Sequence, residues 1–168
     1  EADVAKLVAS ALADHGRLFR APSNMNFQEA ATLPVALATM HNAVVTNGAL
    51  QAGQTVLIQG ASSGVGLMAM QIAKFKGAKL VIGSSTDAMR RGRLKEFGAD
   101  LAVDSKDPGW VDQVLQATGG EGVDMVITVG FAMGLDTATA AKANPDTLFA
   151  IVDNTYPETS DAARGTLT

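Results

Sequence analysis

The stretch Thr55-Val-Leu-Ile-Gln-Gly60-Ala-Ser-Ser-Gly64-Val-Gly66-Leu-Met-Ala-Met-Gln-Ile-Ala-Lys74 decides the fold of this chain. Its first residues form a short apolar run that is typical of a buried strand. Beyond the glycines, apolar side chains recur at helical spacing and predict one helix stripe that faces a sheet. They are Val65, Met68, Ala69, Ile72 and Ala73. A strand, a glycine-rich turn and an amphipathic helix therefore follow one another directly.

Each glycine of this turn has a physical use. We expect Gly60 to permit the tight turn, Gly64 to let the backbone approach a ligand, and Gly66 to allow close helix–strand packing. The unbonded N–H groups and the positive dipole end of the helix suit a pyrophosphate. A tight strand-to-helix turn without any ligand has the same local pattern, so the rest of the chain must decide between the two interpretations.

Composition limits the classes of partner. The net charge of −4 and the pI near 5.0 argue against nucleic acid or an anionic membrane surface as a partner. The length of 168 residues and the apolar content of 47% predict a single domain over residues 1–168 with a substantial core. No apolar run has the length of a membrane span and no signal peptide opens the sequence, so we expect a cytoplasmic protein or one whose leader has been removed.

Metal-binding residues are scarce in the sequence. There are no cysteines, so neither a disulfide framework nor a thiolate metal site is expected. His15 and His41 are the only histidines, and neither has a neighbouring histidine with which to form a ligand pair. We therefore predict no metal site, and we interpret His41 as a packed or surface-facing side chain.

Helices are predicted upstream of the central strand, over residues 1–13, 27–33 and 35–45. Leu18 to Pro22 is expected to be extended, because the residue before a proline disfavours the helical region. Asn24 or Asn26 can cap the second helix, and Pro34 is expected to end it. Asn47-Gly48 is expected to end the third helix.

From residue 55 the pattern alternates between strand and helix. Strands are predicted at 55–60, 79–83, 101–104, 124–129 and 147–152, and helices at 65–76, 87–97, 109–118 and 134–143. Such alternation with short connections indicates βαβ units. We predict an α/β fold, a doubly wound, Rossmann-like parallel sheet of about five to six strands in the order 3-2-1-4-5, with helices on both faces. A ligand would bind at the carboxyl ends of the strands, where the order reverses.

The end of the second strand bears on the choice of cofactor. In NAD-binding sheets an acidic residue about 20 residues past the glycine turn holds the ribose 2′-hydroxyl. Here the strand runs into Ser84-Ser85-Thr86, and the first carboxylate is Asp87. These small hydroxyl side chains leave room and donors for a 2′-phosphate, so the sequence favours NADP(H).

Three arginines follow these hydroxyl residues at once. Arginine suits a phosphate because its donors form a fixed fork. We expect Arg90 to reach the phosphate and Arg91 and Arg93 to face solvent. The alternative is that all three arginines lie on the solvated face of a surface helix.

The same glycine spacing occurs in short-chain dehydrogenases. Those enzymes carry a Tyr-x-x-x-Lys pair and place the glycine turn near the start of the domain. Here Tyr156 is the only tyrosine, Ser160 stands four residues later, and more than fifty residues precede the turn. This interpretation is therefore disfavoured.

Three motifs occur in order along the chain. They are Phe27-Gln-Glu-Ala-Ala-Thr-Leu-Pro-Val-Ala36, the stretch Ala52 to Gly66, and Phe97-Gly-Ala-Asp100. Over roughly residues 11–125 the chain resembles the medium-chain dehydrogenase/reductase superfamily, and most closely its zinc-free, zeta-crystallin-like quinone oxidoreductases. The resemblance implies a Rossmann domain that binds NADPH and delivers hydride to a quinone or another activated carbonyl acceptor.

The resemblance also implies a set of cofactor-binding residues and no catalytic residue or metal ligand. Around the pyrophosphate they are Gly60, Ser63, Gly64, Val65 and Gly66. At the adenosine phosphate end they are Ser84, Ser85 and Arg90. Along the nicotinamide side they are Thr39, Val129 and Gly130.

The chain also departs from this family pattern. Only the last strand of the family's GroES-like catalytic domain fits the sequence, around residues 11–22. After Asp124 the expected glycine-rich "PGG" turn is absent, and residues 121–153 resemble the basic membrane protein family of nucleoside-binding lipoproteins. These two signatures suggest a chimera with a junction near residues 122–126. A natural, truncated reductase with a diverged C-terminus is the alternative.

The resulting functional hypothesis is an NADP(H)-binding Rossmann domain derived from a quinone-type reductase. Without a catalytic domain it is expected to bind the dinucleotide with little turnover, since the acceptor would not be oriented. Two alternatives stay open, a scaffold without a ligand and a nucleoside-binding module. An exposed sheet edge and uncovered apolar surface would favour self-association into a homo-oligomer. Residues 154–168 are predicted to form a loop or tail.

Overall fold

The structure, a computed structural model, describes residues 20–154. The helix predicted over residues 1–13 and the tail after residue 154 lie outside these residues. The chain divides into two compact units, Glu1–Pro34 and Val35–Thr168. The sheet and the candidate site belong to the second unit. Between residues 20 and 154 no helix combines the length and hydropathy needed to span a bilayer.

Helix α1 (Phe27–Ala31) begins at a capping box. Oδ1 of Asn26 accepts the N–H of Glu29 at 2.8 Å, and the Glu29 carboxylate accepts the N–H of Asn26 at 3.0 Å. This reciprocal pair satisfies two N–H groups that the first helical turn leaves unbonded. Of the two asparagines proposed as the cap, Asn26 is therefore the one used.

Helix α2 (Leu33–His41) corrects the prediction that Pro34 separates two helices. Pro34 lies in the first turn of α2, where the missing N–H of proline would have had no helical partner anyway. The helical path continues as a π-helical turn over Asn42–Thr46, in which the N–H of Asn47 donates to the carbonyl of Asn42 at 2.9 Å. His41 is exposed, and its Nδ1 lies 3.3 Å from the hydroxyl of Thr46.

Five strands alternate with helices in the rest of the described chain. The strands are β1 (Thr55–Gln59), β2 (Leu80–Ser84), β3 (Leu101–Val103), β4 (Met125–Val129) and β5 (Leu148–Val152). The α-helices are α3 (Gly64–Phe75), α4 (Ala88–Gly92), α5 (Trp110–Ala117) and α6 (Gly134–Ala143). Short 3-10 helices cover Leu94–Phe97 and Phe131–Met133.

The five strands form one parallel sheet in the order β3-β2-β1-β4-β5. This confirms the doubly wound, Rossmann-like α/β fold and the predicted strand order. Val56 of β1 pairs with Val81 on one side and with Met125 on the other, so β1 lies at the centre of the sheet. The order reverses at β1, which places a crevice between the loops that follow β1 and β4.

Alternate residues of the strands build a core on each face of the sheet. Val56 and Ile58 belong to the cluster that includes Ala69 of α3, whereas Leu57 belongs to the opposite cluster with Val114 of α5. Since neighbouring strand residues point to opposite faces, helices must cover both faces of the sheet. The prediction of helices on both faces is confirmed.

One predicted helix is divided in the structure. The sequence predicted a single helix over residues 87–97, but α4 ends at Gly92 and a 3-10 turn follows from Leu94. Glycine is a weak helix former, and Leu94 is buried at 1% exposure in the core. Burial of that leucine sets the path of the chain after Gly92, which the local spacing did not indicate.

Candidate nucleotide-binding site

A cavity of about 320 Å³ opens at the carboxyl ends of the central strands. Five of the predicted cofactor-binding residues line it, namely Gly60, Ser84, Ser85, Arg90 and Val129. One further lining residue is Thr86, whose hydroxyl the sequence analysis placed beside the 2′-phosphate. Five others were not among the predicted cofactor-binding residues, and they are Gln59, Ser62, Asp87, Ser105 and Met133. The cavity therefore lies where the strand order predicted a ligand crevice.

The turn after β1 is built around two glycines with different constraints. Gly60 has a φ of +73°, a conformation that favours glycine. A Cβ on Gly66 would lie 2.5 Å from the carbonyl oxygen of Gly60 and 2.7 Å from the Cα of Ala61. Both neighbours are backbone atoms, so the helix can approach the turn this closely only with glycine at position 66.

Ser63 caps the N-terminus of helix α3, and its hydroxyl makes two hydrogen bonds. It accepts the N–H of Gly66 at 3.1 Å and donates to the carbonyl of Gly60 at 2.8 Å. The N–H groups of Gly64 and Val65 precede the first helical hydrogen bond, in which Leu67 donates to the Ser63 carbonyl. These N–H groups and the positive end of the helix dipole can serve an anion.

Space above the turn is open at Gly64. A Cβ built on Gly64 has no neighbouring atom within 4 Å, and Gly64 is exposed. The contrast with Gly66 separates the two predicted uses of glycine. Gly66 is required by the packing of the protein itself, whereas nothing among the described residues requires Gly64.

Hydroxyl groups join the turn to the loop after β2. Ser84 and Ser85 are only 2% and 5% exposed. The Ser85 hydroxyl donates to the Ser62 hydroxyl at 2.9 Å, and the Ser85 N–H donates to the carbonyl of Val103 at 3.1 Å. The loop after β2 is therefore tied both to the glycine turn and to the end of β3.

One cation and one carboxylate lie at the edge of this cavity. Arg90 lines the cavity with a side chain that is 69% exposed, and its Nε lies 3.9 Å from Oδ2 of Asp87. Oδ1 of Asp87 accepts the backbone N–H of Arg90 at 2.9 Å, and this hydrogen bond holds the pKa of Asp87 below its usual range. The loose contact leaves the Arg90 guanidinium able to turn toward an anionic ligand.

The other two arginines differ from each other. Arg93 is exposed and pairs with Glu96 at 2.9 Å, as a surface arginine would. Arg91 was predicted to face solvent, and that prediction is wrong. Its Nη1 donates to the carbonyl of Ser85 at 2.8 Å and pairs with Asp104 at 2.9 Å, and the side chain is 23% exposed.

The remaining predicted residues lie at two different places. Val129 ends β4 beside the turn, since a Cβ on Gly60 would lie 3.2 Å from the Cβ of Val129. Gly130 follows with a φ of +118°, and its N–H donates to the carbonyl of Val152. Thr39 is half-buried in α2 and is not among the residues that line the cavity. The structure thus brings the β1, β2 and β4 ends together but leaves Thr39 outside the cavity.

A second cavity of about 490 Å³ lies at the amino ends of the strands. Its walls carry Lys79, Asp124 and Asp146, which gives it mixed charge. Oδ2 of Asp124 accepts the N–H of Thr55 at 2.7 Å and the Thr55 hydroxyl at 2.8 Å. The hydrogen bond from the Thr55 N–H lowers the pKa of Asp124. Because Thr55 begins β1 and Asp124 directly precedes β4, this carboxylate joins the starts of the two strands.

The model of the zinc-binding dehydrogenase family matches residues 64–145. This match begins at the first residue of α3, includes β2, β3, β4 and α6, and ends before β5. Over nearly half of its length the chain is therefore similar to the zinc-binding dehydrogenase family. Zinc itself does not fit the residues present, because within residues 20–154 no group of three or more His, Cys, Asp or Glu side chains could hold a metal ion.

Curated relatives of this chain include much larger enzymes. The hybrid PKS-NRPS synthetase pynA of Aspergillus niger is 39% identical over 106 residues, which are 62% of this chain and 3% of that protein. Erythronolide synthase EryA2 of Saccharopolyspora erythraea is 34% identical over 119 residues, or 70% of this chain and 3% of that protein. The chain therefore spans only a few per cent of the length of these relatives.

Solved structures with the same fold are also longer than this chain. An NAD-dependent alcohol dehydrogenase is 33% identical with a TM-score of 0.71, over 89% of this chain and 44% of that one. CurK enoyl reductase is 26% identical with a TM-score of 0.70, over 88% of this chain and 44% of that one. The chain thus spans less than half of these proteins, and it aligns with a fold shared by dehydrogenases and enoyl reductases.

The comparisons do not support the predicted chimera. The match to the zinc-binding dehydrogenase family runs without a break across residues 122–126, where the junction was expected, and continues to residue 145. In the sheet, β4 pairs with β5 in an unbroken parallel register from Met125 to Val129. The departure after Asp124 therefore lies inside the region that matches the zinc-binding dehydrogenase model, and it gives no support to a nucleoside-binding lipoprotein segment.

Proposed function

We propose that this domain binds NADP(H) at the carboxyl ends of β1, β2 and β4 and holds it for hydride transfer to an enoyl or similarly activated acceptor. The observation that carries the proposal is the pairing of an open helix N-terminus at Gly64 with a hydroxyl-lined cavity that ends at Arg90. A pyrophosphate and a 2′-phosphate need anion sites of these two kinds, one at each end of the adenosine.

The residues of the site divide between the parts of the dinucleotide. The N–H groups of Gly64 and Val65 would bind the pyrophosphate, and the positive helix end would favour its charge. Ser84 and Arg90 would hold the 2′-phosphate through hydroxyl and guanidinium donors, and Ser85, whose hydroxyl donates to Ser62, would line the cavity beside them. When bound, the dinucleotide supplies the hydride, while the domain contributes orientation and a shaped cavity.

The acceptor is inferred from the relatives and not from a side chain of this chain. CurK is an enoyl reductase at 26% identity, and the curated relatives include synthases of polyketides. An activated double bond is therefore favoured over the quinone that the sequence motifs suggested. The solved quinone oxidoreductase, at 22% identity, supports the fold alone.

Calorimetric titration with NADPH, NADH and a nucleoside tests the cofactor proposal. The expected result is saturable binding of NADPH, weaker binding of NADH and no binding of the nucleoside. The same titration of Arg90→Ala tests the cation of the cavity, and Arg93→Ala is its matched control, because Arg93 lies just after α4 but pairs with Glu96 away from the cavity. Absence of NADPH binding to the wild-type chain would contradict the proposal, as would preferential binding of the nucleoside.

A further inference from the structure

The side chain of Arg91 has no part in the cavity wall, yet it contacts the loop that forms the wall. Its Nη1 donates to the backbone carbonyl of Ser85 at 2.8 Å, and the same nitrogen lies 2.9 Å from Oδ2 of Asp104. Asp104 directly follows β3, so Arg91 links the loop after β2 to the end of the neighbouring strand. The side-chain exposures are 23% and 30%, which protects the pair from full solvent screening.

We propose that Arg91 is a positioning residue that fixes the Ser84–Asp87 loop in the shape that receives the 2′-phosphate of NADP(H). The inference rests on the proposed function and adds a residue that does not touch the ligand. It assigns selectivity between NADPH and NADH partly to an arginine whose charge Asp104 already neutralises.

The geometry of Ser85 supports this assignment. Ser85 is 5% exposed, and every polar group on it has a partner. Its N–H donates to the Val103 carbonyl, its hydroxyl donates to Ser62, and its carbonyl accepts from Arg91. Without Arg91 the carbonyl would be left buried without this donor, so the loop would move toward solvent to satisfy it.

A change in the position of Ser85 would reach the ligand through two groups. The Ser85 hydroxyl also accepts the N–H of Asp87, at 3.3 Å, and Asp87 in turn caps the short helix that carries Arg90. Ser85 and Arg90 both line the cavity. The loop therefore connects Arg91 to Ser85 and, through Asp87, to Arg90, two residues of the cavity wall, while the pyrophosphate turn at Gly64 has no part in these contacts.

The test is a comparison of adenosine 2′,5′-bisphosphate with adenosine 5′-monophosphate, titrated into wild type, Arg91→Met and Arg93→Met. Methionine keeps the apolar length of the stem and removes the charged donors. Arg93 is the matched control, because its ion pair with Glu96 is exposed and has no contact with the loop. Thermal unfolding of each variant is measured alongside, which separates loss of fold from loss of binding.

The expected result is that Arg91→Met lowers the affinity for the bisphosphate about tenfold and changes the affinity for the monophosphate by less than about twofold. Arg93→Met is expected to change neither affinity. Asp104→Asn is expected to reduce the same preference by a smaller factor, since it weakens the hold on Arg91 without removing the donor to Ser85. This second variant keeps the test decisive if Arg91→Met fails to fold.

Three other results have distinct meanings. If wild type prefers the bisphosphate and both Arg91→Met and Asp104→Asn keep that preference unchanged, the positioning role is wrong while the proposed function stands. An equal loss of affinity for both nucleotides in these variants would also contradict the positioning role, because it would indicate a general structural effect. If wild type binds neither nucleotide and does not bind NADPH, the proposed function itself fails and the inference fails with it.

Discussion

Replacement of Gly66 by alanine tests whether the turn is held by backbone packing. The added Cβ would lie 2.5 Å from the Gly60 carbonyl oxygen, 2.7 Å from the Ala61 Cα and 2.8 Å from the Ala61 carbonyl carbon. Ordinary contacts between such atoms lie near 3.5 Å, so the helix or the turn must move by about 1 Å. Overpacking of this kind costs about 1–3 kcal/mol, and the better helix propensity of alanine offsets up to about 1 kcal/mol.

The predicted result is a decrease in the free energy of unfolding of about 2 kcal/mol for Gly66→Ala, measured by urea denaturation without ligand. With a typical slope of about 2 kcal/mol/M, the unfolding midpoint falls by about 1 M. Gly64→Ala is the control, because no atom lies within 4 Å of the added Cβ. Its free energy of unfolding should change by less than about 0.5 kcal/mol.

Cofactor binding is expected to respond differently to the two changes. The methyl group of Gly64→Ala would occupy the open space where the pyrophosphate is proposed to bind, so NADPH affinity should fall by about tenfold although the fold is intact. A Gly66→Ala protein that unfolds at the wild-type midpoint would refute the packing argument. Equal destabilisation by both changes would refute the distinction between the two glycines.

Two further predictions concern charged side chains. Arg90→Ala should weaken NADPH binding by about ten- to a hundredfold, the equivalent of losing one charge-assisted hydrogen bond, and equal NADPH affinity in wild type and variant by calorimetry would remove Arg90 from the site. Asp124 has a pKa below its usual value of 3.8 because the Thr55 N–H donates to it, so its stabilising contribution is present above that pH and is lost as the pH falls through the lowered pKa. Urea denaturation of wild type and Asp124→Asn at pH 7 and pH 3 should therefore show a wild-type advantage that shrinks at the lower pH, and an advantage independent of pH would contradict it.

Local patterns were sufficient to predict the sheet. The alternation of strand and helix after residue 55 leaves few right-handed topologies, and the observed strand order is the one predicted. The glycine turn could be predicted from local sequence, because the positive φ of Gly60 belongs to the turn itself and Gly66 packs against Gly60 and Ala61. The prediction that Pro34 ends a helix is wrong because Pro34 lies in the first turn of α2, where a helix tolerates proline.

The parts of the site that the sequence did not reveal depend on contacts between distant elements. The sequence predicts a solvent-facing Arg91, because its partner Asp104 lies beyond the next strand and meets it only when β2 and β3 pair. Ser62 gave no signal of its own, and its role beside Ser85 arises from the approach of two loops at the sheet's carboxyl edge. The sequence does carry one indication of this ion pair, because a carboxylate directly after β3 is well placed to meet a cation that follows β2.

The most direct test of the central claim is a map of backbone amide chemical shifts during titration with NADP⁺. We predict saturable changes that are largest at Gly64–Gly66 and at Ser84–Asp87, the two proposed phosphate sites. Changes centred instead on the amino-end cavity, around Thr55, Lys79 and Asp124, would contradict the account, as would a titration that produces no saturable change at all.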